Sequence, residues 1–309
     1  MGAKPPDGEV EALAEAGSLA GFVVEADLPL VGLSPPWPAA TRRLQVRIAT
    51  RPELVRLAGE VSAARHLGLS HVGEFLVTGP SEVLVAPAEG ASSAQVSAFL
   101  CGPCFSLVAY LNGLVPLHAA LAERGDAAVA VAGPSGCGKS TLAGALVAAG
   151  VRLASDDVCF MEAMADGCLR AWPGVRRLRL RHDSAVALRH ADGTDVLPPE
   201  SKHNLGLPAA ADRPHSLAGV YVLAEAPRTS IERLRGAVAA ERLIANAHRP
   251  DLARVLGVWP DVVRLCARLA GETSVHLFRR PLEFAALDAS AGRLLRHAWG
   301  QAFAETGSA

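Results

Sequence analysis

The stretch Gly133-Pro134-Ser135-Gly136-Cys137-Gly138-Lys139-Ser140-Thr141 constrains the fold of this 309-residue chain more than any other. Ahead of it, Ala127–Ala132 is a short, wholly apolar run bounded by Gly125-Asp126 and Gly133, as a buried strand would be. Behind it, Leu142, Ala145, Leu146 and Ala149 recur at i, i+3, i+4 and i+7, and Gly150 closes the pattern, so a helix is expected over 139–149. Strand, glycine turn and helix in that order point to an α/β protein. The spacing fits G-x-x-x-x-G-K-[ST] without a mismatch. Glycines let the backbone curl so that successive N–H groups face a phosphate, and the helix dipole adds favourable potential at the same point. Lys139 would reach the β- and γ-oxygens of a nucleotide, and Ser140 would give a hydroxyl to Mg²⁺.

Chain-wide features narrow the partners. Basic and acidic residues nearly balance, 30 against 31, so no overall field draws the protein onto nucleic acid or an anionic membrane. The apolar run 96–117 is interrupted by Gly102-Pro103 and Asn112-Gly113 and has no close Lys or Arg, which favours a buried helix leading into a strand over a membrane span. Asp7, Glu9 and Glu11 near the start, with no long apolar segment after them, argue against a signal peptide. Of the cysteines, only Cys101 and Cys104 form a C-x-x-C pair, with no second pair or His cluster at zinc spacing. Small buried thiols in a reducing cytoplasm are the expectation.

Residues 1–40 read as an irregular segment ending in Ser34-Pro35-Pro36-Trp37-Pro38. Residues 41–113 read as a small α+β section, with a strand over 44–48 and a hairpin over 74–87 turning at Gly79-Pro80-Ser81-Glu82. Residues 114–309 hold the glycine loop, a central strand over 217–223 and three amphipathic helices. Their shared faces are Ala240, Leu243, Ile244 and Ala247; Val262, Leu265, Cys266 and Leu269; and Ala291, Leu294, Leu295 and Ala298.

After Gly150 comes an apolar segment carrying adjacent acids, Asp156 and Asp157. If that strand returns beside the loop's own strand, the carboxylates come near a γ-phosphate. Ser155-Asp156-Asp157 is also good turn chemistry, so the pair fits two readings. Arg177, Arg179 and Arg181 recur at period two, as a strand face toward phosphates or an acidic peptide, or as a solvated basic edge. Lys202 is a further candidate for neutralising transferred charge.

The block Leu117-His118-Ala119, the strand before the loop, the loop itself and the run LVAAGVRLASDDV together resemble the HPr kinase/phosphorylase catalytic domain. The runs GLVPLHAAL, LAGVYVLAEA, AAERLIANAHRPDL and LARLAGETSVHLFRRP are closer to HPr-kinase-related bacterial proteins, some of which phosphorylate a serine of a ribosomally made peptide precursor. The likeness covers about residues 70–290 and is most specific over 117–158. It implies a P-loop kinase domain of the HPr kinase/PEP carboxykinase type with a smaller N-terminal α+β section. It further implies Asp156 as catalytic base, Asp157 as a magnesium contact and His118 as the residue orienting the acids, with the division between the two acids left open. The Glu-x-Arg-Gly signature of HPr kinases has no counterpart here; Trp172-Pro173-Gly174-Val175-Arg176-Arg177 stands instead, so the resemblance leaves the reverse phosphorolysis and HPr as target open.

The expected protein is thus an ATP- and Mg²⁺-dependent kinase acting on a hydroxyl, foremost a serine of a peptide or protein. A kinase of small-molecule hydroxyls and a non-catalytic nucleotide sensor are the alternatives, and association with copies of itself is left open. A transport or motor ATPase is disfavoured, since no Leu-Ser-Gly-Gly run is present and Val220 to Glu225 contains no Asp.

Overall fold

A computed structural model of the protein describes residues 14–188, 202–207 and 212–300. Its architecture is mixed α/β. β1 (Ala14–Leu19) and β2 (Phe22–Ala26) form an antiparallel hairpin. Its two turn residues, Ala20 and Gly21, both have positive φ (49° and 78°), the requirement of the tight turn that matches strand twist. β3 (Arg42–Ile48) runs parallel to β2. Then come α1 (Arg51–Ala58), whose N-terminus is capped by the Thr50 hydroxyl, β4 (His66–Leu69), β5 (Gly73–Gly79) and β6 (Glu82–Pro87). The six strands pair in the order β1-β2-β3-β6-β5-β4, and the expected hairpin is β5–β6.

The hairpin of residues 14–26 lies inside the segment expected to be irregular. Among the described residues of that segment, those from 27 to 40 carry no helix or strand, apart from an isolated bridge between Ser34 and Ser18. The cause is distant in sequence: Asp212, 1% exposed, accepts hydrogen bonds from Ser18 Oγ and Gly21 N, each at 2.6 Å.

α2 (Ser93–Phe99) begins with a reciprocal Ser92/Gln95 capping box and continues through a π-helical turn, Leu100–Cys104, into α3 (Phe105–Leu111). Among the described residues, Ser93–Leu111 is the one helical segment long and apolar enough to cross a membrane, and 61% of it is buried inside the protein. It packs on the sheet, where Leu100, Phe105 and Val108 meet Phe22, Val46, Phe75 and Val85. Gly102-Pro103 widens the helix without ending it, and both C-x-x-C thiols are buried there.

The larger part follows β7 (Val115–Leu117). It comprises β8 (Ala119–Arg124), β9 (Ala127–Ala132), α4 (Lys139–Ala148) and β10 (Arg152–Ser155). Next are β11 (Cys159–Ala163), β12 (Leu169–Pro173), β13 (Arg177–Arg181), α5 (His182–Ala187) and β14 (Lys202–Gly206). β15 (Ser216–Glu225), β16 (Ser230–Leu234), α6 (Gly236–Ile244), α7 (Pro250–Val255), α8 (Trp259–Glu272), β17 (Val275–Arg280) and α9 (Leu287–Trp299) complete it.

The second six-stranded sheet has the order β10-β8-β9-β15-β17-β16, with β9, β15 and β17 parallel. Along β9, Val129 and Val131 pack beneath α4 and α9, while Ala128, Ala130 and Ala132 share a cluster with Leu243 of α6 and Leu265 and Leu269 of α8. Alternate residues therefore serve opposite layers, each layer held by apolar side chains worth about 1.5–3 kcal/mol apiece when fully buried. The predicted apolar faces of α8 and α9 are the ones buried. In α6 the buried residues are Ala239 and Leu243, and the helix stops at Ile244, so Ala247 lies beyond it.

One expectation about this sheet is corrected. β10, which carries the two acids at its end, does not lie beside β9; β8 sits between them, antiparallel to both. The short β8–β9 hairpin takes the position next to the loop's strand. Register nonetheless brings the ends together: Ala132 pairs with Ala119 at the start of β8, and Ser155 pairs with Leu121. The loop after β9, His118 before β8 and the acids after β10 thus share one edge.

Candidate functional site

The glycine loop connects β9 to α4 as expected. Gly138 caps α4 at φ 83°, and a Cβ there would collide with the Arg280 guanidinium. Lys139 folds back across the loop, its Nζ donating to Gly133 O at 2.7 Å and Pro134 O at 3.0 Å, and is 7% exposed. Pro134, Ser135 and Gly136 are exposed at the loop's crown, and Ser140 is half-buried in the first turn of α4, where N–H groups have no preceding helical carbonyl. Thr141 Oγ1 lies 2.9 Å from Ser184 Oγ, tying α4 to α5. Burial raises the Cys137 thiol pKa, with Lys139 and Arg280 opposing, so Cys137 stays a neutral member of the loop.

Arg280 was not singled out from sequence. It is 2% exposed at the end of β17, with Nη2 donating to Gly138 O at 3.0 Å and Nη1 to Pro281 O at 2.9 Å. The signal available was a charged residue closing an apolar strand, which by itself does not say what the side chain meets.

Beyond Ser155, the chain turns and the two acids part. Asp156 is 2% exposed, and its Oδ2 accepts the backbone N–H of Arg179 at 2.9 Å. Asp157 is half-exposed and pairs with His118, Oδ1 to Nδ1 at 3.3 Å; the same nitrogen lies 3.0 Å from the Asp157 carbonyl. The hydrogen bond from His118 holds the Asp157 carboxyl well below the usual carboxylate range against the opposing effect of burial, helped by the charges of His118, His248 and Arg179.

His118 is held in turn by a segment the sequence reading did not assign to the site. Its backbone N–H donates to Asn246 O, and His248 N donates to Pro116 O, both at 2.8 Å, so 116–118 and 246–248 are zipped together. His248 is pushed down to about 4 by burial and places Nδ1 2.9 Å from Ser106 Oγ. A cavity of about 250 Å³ is lined by His118, Gly133, Pro134, Asn246, His248 and Arg249. Arg249, just before Pro250, has a left-handed backbone (φ 52°), a costly conformation that persists where the surroundings fix it.

The period-two arginines lie on β13 as a face. Leu178 and Leu180 join the core under α4, leaving Arg177 and Arg179 half-buried on the opposite side and Arg181 exposed. Lys202 pairs with Arg181 in the β13–β14 register, and its side chain lies outside the described residues.

No group of three or more His, Cys, Asp or Glu side chains suited to a metal is present among the described residues. Mg²⁺ on a nucleotide needs no such cage, because phosphate oxygens and water supply most of its ligands. The Ser140 hydroxyl and an oxygen of the 156–157 turn are the hard donors that suit it.

No family model matches the chain, and no curated protein matches it in sequence.

Proposed function

We propose that the protein is an ATP- and Mg²⁺-dependent kinase of the HPr-kinase-like type, transferring the γ-phosphoryl group to a hydroxyl, foremost a serine of a peptide or protein. The observation that carries this reading is the shared cavity: His118, paired with Asp157, lines the same space as Gly133 and Pro134 of the glycine loop. A loop that only bound nucleotide has little need of a histidine beside it that orients a carboxylate. Loop amides and Lys139 would hold the phosphate chain, and Ser140 with an acid of the turn would hold Mg²⁺, which neutralises charge on the transferred group.

Between the acids, accessibility favours Asp157 over Asp156 as the acceptor-facing base. An acceptor arrives from solvent, and Asp157 is half-exposed while Asp156 is buried behind it. His118 fixes the Asp157 carboxylate and keeps it ionised. In a loose phosphoryl-transfer transition state, orienting the hydroxyl matters more than a high proton affinity, so a low pKa is tolerated. Asp156, bonded to Arg179 N, anchors the turn.

The test is single-turnover transfer from labelled ATP with Mg²⁺ to serine peptides, alongside ADP titration. Asp157→Asn is expected to slow transfer by about 10²-fold or more while ADP affinity stays within about threefold. Lys139→Ala is expected to weaken both. Equal transfer by Asp157→Asn sinks the base assignment, and nucleotide binding without transfer to any hydroxyl favours the sensor.

A further inference from the structure

The cations around this edge divide into two sets. Lys139 and Arg280 belong to the loop: both bond its carbonyls, and both act on the Cys137 thiol. Arg177 and Arg179 belong to the acid turn. The acids whose charges reach Arg177 are Asp157 and Asp156, and its neighbouring cation is Arg179. Cys101 and Cys104 lie one turn apart on the π-helical segment, and they sense Arg177 and Arg249 respectively.

Arg177 and Arg179 stand apart from the other buried and half-buried arginines described in lacking any side-chain hydrogen bond or ion pair. The others are held: Arg42 by Glu162 at 2.8 Å, Arg279 by Glu232 at 2.7 Å and Arg65 by Thr78 O at 3.1 Å. Neither Arg177 nor Arg179 makes a side-chain hydrogen bond or ion pair among the described residues, and Arg179 Nε is buried without a partner. Asp157 is already committed to His118, and Asp156 to the Arg179 amide. Two half-buried guanidinium groups on one strand face, repelling each other and drawing only on acids already held by His118 and by the Arg179 amide, are costly unless an anion completes them. Burial, and after it the repulsion of Arg179, lower the Arg177 pKa against the opposing charges of Asp157 and Asp156.

We propose that Arg177 and Arg179 form an anion subsite for the phosphoryl acceptor, which makes the substrate an acidic peptide with a carboxylate side chain within one or two residues of its serine. This rests on the kinase reading and names its substrate class. The other source of the same chemistry is the nucleotide's own phosphate chain. Segregation of Lys139 and Arg280 to the loop favours the acceptor.

The test uses the full chain and fluorescein-labelled peptides Gly-Glu-Ser-Glu-Gly and Gly-Gln-Ser-Gln-Gly, each also made with Ala in place of Ser, with binding read by anisotropy in the presence of Mg·ADP. Both Glu peptides are expected to bind about tenfold tighter than their Gln forms, a preference weakened by salt. Arg177→Gln, and Arg177→Gln with Arg179→Gln, are expected to abolish the preference with ADP affinity within about threefold and an unchanged thermal midpoint for the single variant. Equal binding of Glu and Gln peptides overturns the proposal. So does a loss of ADP affinity in Arg177→Gln with the peptide preference intact, which gives the site to the nucleotide. Because the Ala peptides cannot accept a phosphoryl group, their preference is measured whether or not transfer occurs. Acidic binding without transfer to the Ser form defeats the kinase reading alone.

Discussion

Replacing Asp212 by Asn should change how the protein's stability depends on pH. Asp212 is 1% exposed and accepts hydrogen bonds from Ser18 Oγ and Gly21 N at 2.6 Å. Burial pushes its pKa up from 3.8 to about 6, outweighing those hydrogen bonds. The folded protein therefore holds this proton more tightly than the unfolded chain does. Its contribution is fully present below the unfolded value and is lost as pH rises through the folded one. A shift of about 2 pH units at 1.36 kcal/mol each corresponds to about 3 kcal/mol. Urea unfolding of wild type and Asp212→Asn at matched pH values isolates the effect, because every other titrating group is common to both. The stability of wild type relative to the variant should fall by about 3 kcal/mol between about pH 4 and pH 7. A difference that stays constant, or that grows with pH, would refute the assignment of a desolvated carboxyl to this hairpin.

Two further outcomes follow from named contacts. Gly138→Ala should destabilise the fold by about 1–3 kcal/mol and weaken ADP binding, since φ is 83° and the new Cβ meets Arg280; denaturation and nucleotide titration read both, and a neutral result would mean that the loop relaxes freely. Glu123, 5% exposed, lies 3.1 Å from both Arg176 and His215. Burial works to raise its pKa, but His215 and Arg176 overcome that and bring it to about 2. Its stabilisation is present above the ordinary glutamate value of 4.5 and lost as pH falls toward 2, so Glu123→Gln should cost about 3–5 kcal/mol near neutral pH and progressively less in acid. A deficit independent of pH would exclude the ion pair as its source.

Local signals were legible in the sequence where one segment carries its own periodicity. β9 and α4 announce the glycine loop, β5 and β6 announce their hairpin, and α8 buries Val262, Leu265, Cys266 and Leu269 as its spacing requires. Features set by distant partners were not. The β1–β2 hairpin depends on Asp212, 191 residues from Gly21, and its strands carry no long apolar alternation. The place of β8 between β9 and β10 is a matter of pairing that apolar patterns do not encode. At the site, the loop, His118 and the acids could be read from a motif and a resemblance. The zipped segment Asn246–His248 and Arg280 could not, because their roles consist of backbone hydrogen bonds and carbonyl contacts rather than residue spacing.

The edge-on stack of Phe22 on Phe105 and of Phe105 on Phe160, at 5.4 and 5.1 Å, runs across residue 113, where the sequence pattern divides the chain into its two sections. A chain severed there would leave two fragments, each displaying a torn aromatic surface to water. Expression of either half alone should therefore give sticky, poorly soluble material, and the two parts are best regarded as co-dependent for folding.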